Sequence, residues 1–151
     1  MRYLDKRVER ICDELYRLRI VQRIPLTDLI CKKGTYIRPE AADAATPPWT
    51  SFDSRTMHWY GPDEHYWFRT EFTVPKALNG KAMWLNVRTQ IEGDDGKNPQ
   101  FLLFVNNVPV QGMDMNHRDV LLSPKAISGE KLVFDLQAYT GTIHNEFNLF
   151  M

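Results

Sequence analysis

The amino-acid sequence predicts a mainly β protein: an antiparallel β-sandwich preceded by one N-terminal α-helix. Three observations carry this. The first twenty residues repeat apolar side chains at alternating intervals of four and three, which is a helical period. Beyond Trp49 the chain breaks into short stretches of strand length, several alternating apolar with polar. Turn-forming residues separate those stretches, at the spacing of small all-β domains.

The helix is defined by Leu4, Val8, Ile11, Leu15 and Leu18, with Arg2, Lys6, Glu9, Arg10, Asp13 and Arg17 on the other face. This predicts a helix over residues 1–20, packing on its own domain; a partner helix or coiled coil is the alternative. Residues 21–151 form the sandwich. Ile24–Ile30 is apolar and β-prone but contains Pro25, which predicts an edge strand. Arg38–Pro48, rich in alanine and proline, predicts a connecting loop.

The strands follow. Tyr66, Phe68, Thr70, Phe72 and Val74 alternate with Trp67, Arg69, Glu71 and Thr73 until Pro75 stops the run. Met83–Ile91 alternates in the same way, and Gly93–Pro99 is dense turn chemistry. Further strands are predicted at Phe101–Val105, Val108–Gln111, Val120–Leu122, Leu132–Tyr139 and Phe147–Met151. Asn106-Asn107 tolerates positive φ and predicts a tight hairpin. Phe101–Val105 is apolar on both faces, so a second cover is expected, from the N-terminal helix or from a domain outside the chain. The chain stops inside an apolar run at Phe147–Met151, from which a longer natural polypeptide is expected.

The 151 residues suit one domain. With 19 Lys and Arg against 19 Asp and Glu, the balanced charge gives no support for a nucleic-acid or anionic-membrane partner, since both need a basic surface. No apolar run spans a bilayer, and the charged first ten residues are not a secretory signal. Cys12 and Cys31 do not form a disulfide framework, so a reducing cytoplasmic setting is the simplest expectation.

Two stretches hold candidate site residues. His58-Trp59-Tyr60-Gly61-Pro62-Asp63-Glu64-His65 combines rings that stack on sugars with groups that hydrogen-bond hydroxyls. The same aromatics also suit core or interdomain packing, and the histidine spacing fits no zinc pattern. The substrate or interdomain contacts proposed here are His58, Trp59, Tyr60, Asp63, Glu64 and His65. In the second stretch, Asp114, Asn116 and His117 read either as a polar cluster at a strand end or as a hydrogen-bonded turn before the next strand. A calcium loop counted from Asp114 would close on Lys125, and one counted from Asp94 on Val105; neither is the glutamate required. Glycoside hydrolysis needs two carboxylates across a scissile bond, but nothing distinguishes Asp63 and Glu64 from solvated loop charges. No catalytic or metal-binding constellation is evident.

Tyr66-Trp67-Phe68-Arg69-Thr70-Glu71-Phe72-Thr73-Val74-Pro75 resembles the entry strand of the sandwiches that precede glycosidase catalytic domains, the β-galactosidase type included. Phe104–Gly112, followed by Asp114, Asn116, His117 and Val120-Leu121-Leu122, narrows the resemblance to the N-terminal domain of bacterial α-mannosidases of glycoside hydrolase family 38. The resemblance runs from about Trp49 to the end; Glu9-Arg10-Ile11 and Leu15 resemble the opening helix of those enzymes. It implies a jelly-roll, galactose-binding-like sandwich that has no cofactor of its own. Zinc and the nucleophilic aspartate are expected in a catalytic domain that follows. The implied partners are that catalytic domain and mannose-containing glycans. The alternatives are an independent carbohydrate-binding, lectin-like module and the N-terminal sandwich of another glycosidase such as a β-galactosidase.

Overall fold

The computed structural model describes residues 2–89, 98–142 and 146–151. The chain is mainly β, with an N-terminal helix and antiparallel sheets forming a sandwich. Helix α1 covers Arg2–Leu18, and β1 covers Asp28–Lys33. A short α2, Pro39–Ala44, precedes β2, Thr50–Asp53, and β3, Trp59–Tyr60. Then come β4, His65–Thr73, β5, Met83–Asn86, and β6, Gln100–Val105. The last four strands are β7, Val108–Met113, β8, Asp119–Ser123, β9, Lys131–Tyr139, and β10, Glu146–Phe147.

One layer is a six-stranded sheet in the order β2-β1-β4-β9-β6-β7. The other is broken into two pairs, β10-β3 and β5-β8. The main core lies between the layers. Phe68, Leu136 and Leu103 share one register row of the large sheet and are fully buried. Trp59 and Phe147 from β3 and β10, and Leu85 and Val120 from β5 and β8, close on them. Alternation along β4 and β9 puts every second residue into this core, which is the physical reason for the period of two.

The other face of the large sheet has its own cover. Residues between β1 and β2 fold back over it, and Ala42, Trp67 and Phe104 form a second buried cluster against Tyr36, Trp49 and Leu102. Pro39 starts α2, where its missing N–H costs nothing. Ala42 lies fully buried, and having only a methyl group it lets the helix sit close to the sheet. Lys32 is only 2% exposed. Its ammonium donates to the carbonyls of Ala42 and Ala45 at the end of α2 and lies 5.2 Å from the Tyr36 ring. A cation at a helix C-terminus meets unpaired carbonyls and the negative end of the dipole. Lys32 thereby ties α2 to β1.

Four expectations are corrected. Residues 38–48 are not merely a loop, since α2 occupies Pro39–Ala44. The strand after Pro25 begins at Asp28 and pairs on both sides, with β2 and β4, so it is internal. The alternation predicted through Ile91 ends as a strand at Asn86; Arg88 then bridges Phe150, and residues 90–97 lie outside those described. Most of the Gly93–Pro99 turn and the Asp94–Asn98 stretch falls there too. Finally, α1 does not pack its apolar face on the sandwich. Leu4, Val8, Ile11, Leu15 and Leu18 are 51–73% exposed.

The doubly apolar strand is β6, and its second cover comes from within the chain. Phe101 and Leu103 face the main core, whereas Leu102 and Phe104 face the cluster under α2. The Asn106-Asn107 hairpin forms as predicted, with φ of 50° and 67°. Positive φ at both positions matches the twist of the flanking strands. Register shifts between Leu103 and Phe104, opposite Pro109 of the margin strand β7.

Candidate functional site

Both predicted clusters lie at one end of the large sheet. His65 opens β4 and pairs with Tyr139, which pairs with Gln100 at the start of β6. The neighbouring Phe101 pairs with Met113, the last residue of β7. The loops at His58–Glu64 and at Asp114–Arg118 are therefore separated by three strand spacings, about 14 Å.

In the first loop the structure divides the candidates. Trp59 is 1% exposed and sits in the core, edge-on to Tyr66 and Phe68 with ring centroids at 5.5 Å and 5.4 Å. Its indole N–H donates to the Asn148 carbonyl at 3.4 Å. It is a packing residue, and the expectation of a surface contact is corrected for it. His58 and Tyr60 are exposed. Asp63 takes a left-handed conformation, φ 55°, and its N–H donates to the Gly141 carbonyl. The Tyr139 hydroxyl donates to the Asp63 carboxylate at 2.9 Å, which pushes the tyrosine pKa up. Lys33 donates to the Glu64 carboxylate at 2.6 Å, and that bond pushes the lysine pKa up. His65 stacks on Tyr139 at 4.9 Å, as expected for a directly opposed cross-strand pair. Each carboxylate thus has its own partner. The result is a half-exposed rim of rings, carboxylates and one ammonium.

The second loop is an Asp-capped turn. The Asp114 carboxylate accepts from the backbone N–H groups of Asn116 and His117 at 2.8 Å and 2.7 Å. The His117 ring Nδ1 lies 3.0 Å from the same oxygen. Burial acts upward on the Asp114 pKa, but the two backbone donors and His117 outweigh it and hold the carboxyl below its ordinary value. Buried Met115 anchors the turn, and Arg118 donates to its carbonyl. The structure therefore joins Asp114 to His117. Asn116 contributes its backbone, with its side chain outward. The two sequence readings coincide: the polar cluster is the hydrogen-bonded turn.

Sequence reasoning missed two groups of residues. Lys33 and Tyr139 complete the first rim, but only strand pairing brings them there. Under α2, the Arg69 guanidinium bridges Asp135 at 2.6 Å and Asp43 at 2.7 Å and stacks on Trp49 at 4.8 Å. Burial pushes the Asp135 carboxyl up, and Arg69 pulls it part-way back. Charge alternation along β4 marks Arg69 as polar but not as buried against a carboxylate. Among the described residues, no three His, Cys, Asp or Glu converge to hold a metal. Among them, too, no helix is long and apolar enough to cross a membrane.

A groove of about 240 Å³, lined by apolar and polar side chains alike, opens between the sheets at the β7 margin. Val105, Val110, Leu121, Leu122, Ile127 and Leu132 form its apolar wall, and Ser123, Lys125 and Glu130 its polar one. Val108, Val110, Leu121 and Ile127 are 61%, 47%, 43% and 65% exposed. Trp84, paired with Leu121, is 59% exposed.

Comparison with family models, with curated proteins and with solved structures returned no match to this chain.

Proposed function

We propose that this chain is the non-catalytic N-terminal sandwich of an α-mannosidase, docking beside a zinc-dependent catalytic domain and shaping its substrate entrance. The resemblance to family 38 enzymes over residues 104–122 motivates the reading. The observation that carries it is the groove at the β7 margin. Val105, Val108, Val110, Leu121 and Leu122 belong to that same stretch, and the exposed ones leave apolar surface where a neighbouring domain would sit. The Asp114–His117 turn joins β7 and β8, two of the strands that wall the groove. The two-sided character of β6 lends no support, because α2 already covers Phe104. Zinc and the nucleophile would be supplied by the neighbour. The free cysteines Cys12 and Cys31 accord with a cytoplasmic setting.

The test uses native material. An antibody to this chain detects a polypeptide well above 17.7 kDa that hydrolyses a chromogenic α-mannoside and loses activity to a zinc chelator, while the isolated chain shows no turnover. Recovery of a free 17.7 kDa species, with mannosidase activity elsewhere, overturns the proposal.

A second reading, an independent carbohydrate-binding module, is favoured by the half-exposed rim of Tyr60, Asp63, His65 and Tyr139. Because Trp59 is buried, Tyr60→Ala is the informative variant. Saturable binding of mannobiose that this substitution abolishes supports the module; no heat of binding at millimolar sugar removes it.

A further inference from the structure

We propose that α1 is a self-association element, pairing antiparallel with α1 of a second copy of this chain along the Leu4–Val8–Ile11–Leu15–Leu18 seam. The inference is independent of the mannosidase reading.

Every side chain described from Tyr3 to Arg23 is exposed, so α1 stands clear of the sandwich on all sides. An isolated helix of 17 residues is marginal in water. The aliphatic side chains of α1 form a single stripe with the alternating four-three spacing of a coiled-coil seam. A helix of this kind gains stability by covering the stripe, and none of the described residues covers it.

Charge selects the partner and the direction. If Val8 and Leu15 take one seam position and Leu4, Ile11 and Leu18 the other, Asp5 and Cys12 flank one side and Arg7 and Glu14 the other. In antiparallel pairing, Leu4 meets Leu15 of the second copy and Val8 meets Ile11. Arg7 then faces Glu14, twice by symmetry. Parallel pairing would place Arg7 opposite the uncharged Cys12. Its opposite-charge pair would need Arg19, which lies beyond the last helical residue and donates to the Tyr16 hydroxyl. Antiparallel helices also oppose their dipoles favourably. The flanks of α1 thus complement those of its own copy in one orientation.

Sedimentation equilibrium of the full chain is expected to give a concentration-dependent dimer. Arg7→Glu places two glutamates opposite Glu14, and Glu14→Arg places two arginines opposite Arg7. Each should weaken the dimer roughly tenfold. An equimolar mixture of the two variants should restore association, because the heterodimer pairs opposite charges at both places. Neither substitution reaches the sandwich, so unchanged tryptophan fluorescence confirms that the fold is intact. A chain that stays monomeric to several hundred micromolar overturns the proposal. So does a dimer that is indifferent to both variants, which would assign association to the β7 groove instead. Variants that weaken the dimer but do not recover on mixing refute the antiparallel direction.

Discussion

Replacing Phe104 with alanine decides whether the two-sided strand is completed within the chain. Phe104 is 4% exposed, with its ring 5.5 Å from that of Trp67 beneath α2. Truncating a buried phenylalanine costs about 3–5 kcal/mol, combining lost transfer energy with the cavity left behind. On a face left open for an absent domain, the same change would cost within about 0.5 kcal/mol. With a urea slope of about 2 kcal/mol/M, the two cases differ by roughly 1.2 M or more in unfolding midpoint. Intrinsic fluorescence reports it directly, since Trp67 is the neighbour that loses its contact. Val108→Ala, on the exposed margin of the same hairpin, is the control and should barely move the midpoint. A Phe104→Ala midpoint within about 0.3 M of the parent would refute an internally covered back face.

Deleting residues 1–20 should leave the urea midpoint of the sandwich unchanged while removing helical ellipticity at 222 nm; a large midpoint loss would mean that α1 supports the core. Asp114→Ala removes the acceptor of two backbone N–H bonds and should cost about 1 kcal/mol at pH 7. The folded-state pKa of Asp114 lies below the ordinary 3.8, so its stabilisation is present above that value and disappears as pH falls through the folded pKa. Thermal melts of parent and variant should therefore differ at pH 7 and converge in strong acid. Iodoacetamide should label exposed Cys12 first and Cys31 only slowly, because burial pushes the Cys31 thiol up; peptide mass spectrometry resolves the order.

What was legible in the sequence was what local chemistry determines. Asn106-Asn107 announced its turn because few other residues accept positive φ twice in succession. The core-facing series Phe68, Thr70 and Phe72 followed from the strand period. The residues that went astray depend on contacts between distant segments. Trp67 shares a strand face with Arg69 and Glu71 and reads as half-wet until α2 covers it. Ala42 gives no sign in an alanine-rich stretch that it will be fully buried. Trp59 sits among polar loop residues, and only β10, almost ninety positions later, turns it inward. The candidate site was half readable for the same reason. Asp114 and His117 are three residues apart, within reach of a local turn. Tyr139 and Asp63 meet only because β4 and β9 pair, which a single sequence does not display.

The irregularity opposite Pro109 bears on how this molecule can meet others. Proline offers no N–H, and the register shift beside it interrupts the even spacing of donors and acceptors along the outermost strand. A foreign strand laid there would find a template with missing rungs. Growth of the sheet into fibres is thereby discouraged at that boundary, even though valines are displayed on it. Any neighbour that settles there must be recognised through the shape of its side chains rather than by main-chain zippering.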